Sequence, residues 1–364
     1  MIRALTSLAD VKVFCIDPRY PRYKFLQQRT FLNPDYDKAY TVPGVNVEYL
    51  HYGALPFVSR LVNGYTCGRL LTVHARRFRP DIIIGFFLYP VGFGAVAAAR
   101  DLKVPAIVGV LGSDLLRVDS YFARVAVGLT MRRASFVLTV SDELRERTIQ
   151  YGISPERSRT IHNGCDFDVF KPADRNTARA ELKVDPGDEL IVFTGRLVPN
   201  KGLRELIQSV SSLVESRPRL RVVCIGEGVM DRELRQRASQ SDIKGHVIFV
   251  GNANPDEIAR WLAASNVFCL PSYSEGCPNV VIEALACGRP VVASNVGGIP
   301  ELMDSRCGIL VPPRDARQLA DALSGALNHP WNPEEIAGSF RRSWNDVARE
   351  THDVCCSVVR DSKR

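Results

Sequence analysis

Short runs of β-branched and apolar residues alternate along the whole chain with amphipathic stretches, a pattern that predicts βα repeats built around parallel sheets. In the first half the runs predict strands over 11–17, 45–50, 81–86, 106–111, 136–140 and 159–162. The second half predicts strands over 190–194, 221–225, 247–250, 267–270, 290–293 and 308–311. Two α/β lobes of similar size follow. The break falls near 171–187, where Pro172, Asp174 and Asn176 precede a short helix and Pro186-Gly187 opens the next strand. The expected organisation is a first lobe over 1–172, a second over 173–340 and a C-terminal segment over 341–364. Residues 332–359 read as a helix pair containing Trp344, with no sheet of its own to join. Residues 2–8 read as the last turns of a helix, although a doubly wound domain normally opens on a strand.

The length of 364 residues suits two domains of roughly 150 each, and 46% hydrophobic with 24% charged residues excludes collagen-like, coiled-coil and disordered chains. No run approaches the ~20 apolar residues of a spanning helix, and the N-terminus lacks the apolar run of a signal peptide, so a cytoplasmic chain is expected. The ten cysteines form no CxxC pair and have mostly apolar neighbours, which argues for reduced thiols rather than a zinc site or disulfide framework. The net charge of +7 is unevenly spread: residues 1–172 hold 23 Lys/Arg against 15 Asp/Glu, and 173–364 hold 24 against 25. A basic half can serve nucleic acid, anionic lipid or an anionic substrate.

The densest chemistry runs from Ser274 to Gly288. Pro278 suits the first turn of a helix and Gly288 the position past its end, which predicts a short helix over 279–287. Its N-terminus would offer amide groups and a positive dipole end to an anion at the carboxyl edge of a strand. Glu275 in the entry loop and Glu283 one turn inside the helix would flank that point. Because carboxylates repel phosphate, they are expected to accept hydrogen bonds from sugar hydroxyls. A second loop carries Gly195-Arg196 and Lys201-Gly202, two cations above a sheet that suit a diphosphate, without the GK[ST] ending of a Walker sequence. Gly226-x-Gly228 follows a third strand but lacks the third glycine of a dinucleotide fingerprint. In the first lobe Gly112-Ser113-Asp114 and Asn163-Gly164-Cys165-Asp166 each end a strand, and Gly94 in an apolar run permits close helix packing.

The ordered series Gly112-Ser113-Asp114, 141–144, Asn163-Gly164-x-Asp166, Gly195-Arg196-x4-Lys201-Gly202, Gly226-x-Gly228 and Glu275-x7-Glu283 resembles the retaining, nucleotide-sugar-dependent glycosyltransferases of family four, in particular bacterial envelope and exopolysaccharide types such as those of teichuronic acid synthesis. The resemblance implies the GT-B fold: two Rossmann-like, doubly wound domains facing across a cleft, with the C-terminal helix crossing back to the N-terminal, acceptor-binding domain. It implies Arg196 and Lys201 on the donor diphosphate, Glu283 on the ribose hydroxyls and Glu275 on the transferred sugar. Amides of Gly276 to Val281, including Asn279 and Val280, would lie nearby. Gly226 and residues 249–251, Val250 among them, would line the nucleotide pocket. Ser113 and Asp114 would face the cleft from the acceptor side. It further implies a UDP- or GDP-sugar donor, a lipid-linked or glycan acceptor, no cofactor and no metal, in keeping with the absence of a DxD pair. Retention in this family is ascribed to front-face attack in which the leaving phosphate helps take the acceptor proton, and no side chain here stands out as a dedicated base.

Two departures accompany the resemblance. Leu111 stands before Gly112-Ser113-Asp114 where many relatives have a histidine. The first strand with its glycine loop is missing, so the chain as given is expected to start roughly 20–30 residues inside a longer product, one βα unit short. The expected location is cytoplasmic and peripheral at the inner membrane face. Arg19, Arg22, Lys24, Arg29, Arg76, Arg77 and Arg79 near Phe78 are candidates to meet an anionic membrane surface. The competing readings are a catalytically impaired nucleotide-sugar-binding relic, an epimerase or a phosphorylase on the same scaffold. A nucleic-acid binder is disfavoured by the lack of any RNP or helix-turn-helix pattern.

Overall fold

The computed structural model describes residues 1–19, 43–54, 62–116, 120–240 and 242–364. The chain forms two compact units, one of Met1–His162 with Trp344–Arg364 and the other of Asn163–Ser343. Residues 163–172 therefore belong with the second unit.

In the first unit α1 (Ile2–Leu5) leads into β1 (Lys12–Arg19), which pairs in parallel with β2 (Asn46–Gly53). Helix α2 (Asn63–Phe78), β3 (Ile83–Phe86), α3 (Phe93–Leu102) and β4 (Ala106–Val110) follow. After them come α4 (Ser113–Leu116), α5 (Tyr121–Arg133), β5 (Phe136–Thr139), α6 (Asp142–Gln150) and β6 (Ser158–Thr160). Strands β3, β4, β5 and β6 form one parallel sheet in that order, and β1–β2 a separate one. Strand β4 is uniformly apolar and buried throughout, as a strand covered on both faces must be. No position of β1 is fully buried. Helices α2 and α3 approach closely because Gly94 has no side chain: a Cβ there would lie 2.7 Å from Cys67 Sγ. Of the basic residues expected to meet a membrane, Arg22, Lys24 and Arg29 lie outside the described residues.

The second unit alternates α7 (Arg175–Leu182), β7 (Glu189–Thr194), α8 (Leu203–Leu213), β8 (Leu220–Ile225), α9 (Asp231–Ala238) and β9 (Val247–Gly251). It continues through α10 (Pro255–Ala264), β10 (Val267–Leu270), α11 (Asn279–Ala286), β11 (Val291–Ser294) and α12 (Ile299–Leu302). It ends with β12 (Gly308–Val311), α13 (Ala316–Asn328) and α14 (Pro333–Ser339). Its six strands are parallel in the order β12-β11-β10-β7-β8-β9, the doubly wound arrangement in which connections diverge from the β7–β10 pair. Leu190 to Phe193, Val222 to Cys224 and Val267 to Leu270 are fully buried, so helices cover both faces of the sheet. Side-chain caps fix several helix starts: Asp174, Asn254, Asp315 and Asn332 each accept an amide hydrogen bond, and Pro255 and Pro333 stand in first turns.

The last helix, α15 (Trp344–Ser362), belongs to the first unit. Val347, Val354 and Val358 share one stripe of it and pack with Ile107, Leu138 and Ile161 of β4, β5 and the segment after β6. The helix that seemed to lack a sheet thus covers the β3–β6 sheet.

Candidate active site

Ligands in doubly wound sheets bind at the carboxyl ends of the strands beside the switch point. In the second unit that point lies between β7 and β10, and the loops leaving them carry the sequence-predicted residues. Loop 195–202 follows β7, and loop 271–278 follows β10 and enters α11. Gly202 lets the two loops touch. Its φ is +66°, and a Cβ would stand 1.8 Å from the Pro271 carbonyl oxygen, so only glycine fits. The Tyr273 amide donates to Asn200 O at 2.8 Å, and the Tyr273 hydroxyl donates to the Glu205 carboxylate at 2.8 Å. Behind them the Gly298 amide holds Gly276 O at 2.8 Å.

This bracing brings Lys201 and Glu275 together across the switch point. Lys201 Nζ donates to Glu275 Oε1 at 2.5 Å, with both side chains largely buried. The Ser272 hydroxyl donates to the same oxygen at 2.6 Å. No hydrogen bond reaches Glu275 Oε2 among the described residues, which leaves it able to accept from a ligand hydroxyl. Nothing in the sequence marked Ser272. Arg196 is exposed at the end of β7 and makes no side-chain hydrogen bond or ion pair among the described residues. Its loop is fixed to the β8 loop by the Leu197 amide on Glu227 O at 2.9 Å. Gly226, at the end of β8, donates to Gly251 O at 2.7 Å, so the β9 end with Val250 joins the same edge.

Helix α11 starts from Pro278 with no side chain capping it. The Val281 amide, expected to face a ligand, donates instead to Pro278 O at 3.1 Å. Asn163 Nδ2 donates to Cys277 O at 3.0 Å and to Asn279 Oδ1 at 2.8 Å, so a residue expected at the end of a strand steadies the start of α11. Glu283 sits one turn in. Burial lifts its carboxyl to about 7, and no cation or hydrogen-bond donor offsets that among the described residues. The ensemble is an unpaired guanidinium, a lysine bridged to a carboxylate, helix amides and a desolvated carboxyl on one sheet edge. Such a set can hold a diphosphate beside a hydroxyl-rich group.

In the first unit Ser113 is exposed at the start of α4. The Asp114 carboxylate accepts amides of Leu88, Leu111 and Gly112 at 3.2, 3.1 and 2.9 Å, tying the end of β4 to the segment after β3. Burial raises its carboxyl above the ordinary range and outweighs the three amides, which favour the charged form. Ser141 caps α6, accepting the Leu144 amide at 3.3 Å.

Residues 1–169 match the model of glycosyltransferase family 4, and residues 188–329 match that of the group 1 glycosyl transferases. TuaC of Bacillus subtilis strain 168, named for a glycosyltransferase of teichuronic acid biosynthesis, is 29% identical over 335 residues, covering 89% of this chain and 82% of its own. A D-inositol 3-phosphate glycosyltransferase of Nocardioides sp. is 36% identical over 233 residues, covering 58% of this chain but only 51% of its own. Among solved structures, HepE of Anabaena in complex with UDP superposes with a TM-score of 0.71 at 21% identity, over 86% of each chain. The shared architecture is GT-B, with two Rossmann-like domains.

Proposed function

Because the chain belongs to the family 4 glycosyltransferases, we propose that it moves a sugar, with retention and without a metal, from a nucleoside-diphosphate sugar to a lipid-linked or glycan acceptor in cell-envelope or exopolysaccharide synthesis. The observation that carries the reading is the Lys201–Glu275 pair across the switch point, with Arg196 unpaired beside it. Arg196 would clamp the diphosphate as a fork and Lys201 as a point charge, and together with the α11 amides they would neutralise the leaving group. Glu275 Oε2 would accept from hydroxyls of the moving sugar, while Oε1 keeps Lys201 in place. Glu283 would bind the ribose hydroxyls, with Gly226 and Val250 beside the base. The leaving phosphate, held by these groups, would take up the acceptor proton.

The match to TuaC supports an envelope acceptor, and the UDP bound by HepE makes UDP-sugars the first donors to try. The basic first half supports a peripheral site at the inner face of the membrane.

Thermal-shift screening against a panel of UDP- and GDP-sugars tests the reading. At a hundred times its Kd a donor stabilises by about 2.7 kcal/mol. Arg196→Ala and Glu283→Ala should each abolish the shift. A shift retained in both variants would refute this placement of the donor.

A further inference from the structure

Helix α5 has an exposed apolar stripe. Tyr121, Phe122, Val125 and Leu129 are 76, 65, 42 and 37% exposed. At 100° per residue they fall within a single face, which Arg132 and Arg133 continue toward the C-terminal end. From Ser120 to Ser141 the sequence has three arginines and no acidic residue. Arg157 adds a fourth cation there, its guanidinium donating to Arg132 O at 3.2 Å. The imbalance extends through the unit. Nine of the eleven exposed large apolar side chains among the described residues lie in the first unit. That unit carries 26 Lys/Arg against 17 Asp/Glu, and the second carries 21 against 23.

A patch that is aromatic at one end and cationic at the other complements a surface with an apolar interior and an anionic face. We propose that the exposed face of α5 is the element that docks this protein on anionic lipid bilayers, with Tyr121 and Phe122 inserted at the headgroup level and the arginines at its other end over the lipid phosphates. Because α5 lies in the crossover between the parallel strands β4 and β5 and leads into β5, its first, aromatic end lies toward the carboxyl edge of that sheet, where doubly wound sheets bind ligands. A lipid-linked acceptor would reach the protein there. In this respect the inference rests on the transferase reading, and it places the membrane contact on α5 rather than on Arg76, Arg77 and Arg79.

Co-sedimentation of the full chain with phosphatidylcholine vesicles, with and without 30 mol% phosphatidylglycerol, tests it. The parent should bind the anionic vesicles preferentially. Tyr121→Ser with Phe122→Ser should lower partitioning about tenfold, and Arg133→Gln about fivefold on anionic vesicles alone. All variants should keep the parent Tm and its donor-induced shift. A double variant that sediments like the parent overturns the proposal, as does a parent that ignores lipid charge. So does light scattering that shows a dimer dissociated by the double variant, which would make the stripe a contact between copies. Absence of any donor shift in the parent would instead count against the transferase reading, whatever the vesicles show.

Discussion

Glu283 carries the sharpest electrostatic consequence of any single residue. Its carboxyl lies near 4.5 in the unfolded chain and at about 7 when folded, because burial penalises the charge. Between those values the folded state keeps a proton that the unfolded state has released. The contribution is therefore complete below 4.5 and is lost as pH rises through 7, on the order of 3 kcal/mol in all. Glu283→Gln should match the parent in Tm at pH 5 and exceed it at pH 8. The sign for a ligand is opposite. Ribose hydroxyls bind the carboxylate best, so UDP-glucose affinity should rise between pH 6 and 8, by at most tenfold per unit, with proton release measurable by calorimetry in buffers of different ionisation heat. A profile that is flat, or unchanged in Glu283→Gln, removes this residue from the donor site. Gly202 is decisive for another reason. Gly202→Ala meets the Pro271 carbonyl in a left-handed backbone, so it should destabilise by about 2 kcal/mol or more and weaken the donor shift by parting Lys201 from Glu275.

At the scale of elements, period and punctuation located every strand but β2 within two residues, because parallel strands buried on both faces are short apolar runs bounded by turn residues; β2 runs three residues past its predicted end, to Gly53. The bounds of α11 were legible from Pro278 and Gly288, and the switch-point loops from Gly195 after β7 and the turn residues Pro271 to Gly276 after β10. Bonds between distant segments were not legible. Nothing local in Asn163 says that it will hold Asn279, and nothing local in Asp114 says that it will hold the Leu88 amide. The separation of β1–β2 from β3–β6 also lies beyond a one-dimensional pattern, since strand order is a property of the sheet. It has a measurable consequence. Among the described residues β1 is hydrogen-bonded on one side only and is nowhere fully buried, whereas β4 and β7 are flanked and buried. Amide hydrogen exchange should therefore be fastest, among the strands, in β1 and β2, and slowest in β4, β7 and β10. Equal protection of β1 and β4 would contradict the two-sheet description.

For the whole molecule, the chain's last helix stabilises the unit that its first residues begin. Val347, Val354 and Val358 bury their side chains against Ile107, Leu138 and Ile161, with Trp344 half-buried alongside. At about 1.5–3 kcal/mol per fully buried apolar side chain, the three valines alone contribute roughly 5 kcal/mol. That is comparable to the whole stability of an ordinary domain, about 5–15 kcal/mol. Every residue proposed to bind the donor lies instead in the unit of Asn163–Ser343, to which α15 does not belong. Ending the chain at Ser343 should therefore unfold the first unit and spare the second. Calorimetry should show the transition of the first unit lost or lowered by more than 10 °C, while UDP-glucose still raises the remaining transition. Transfer to acceptor should vanish as donor binding persists. A truncated chain that keeps both transitions would mean that α15 adds little to the core it covers. One that loses donor binding as well would mean that the second unit does not fold without the first.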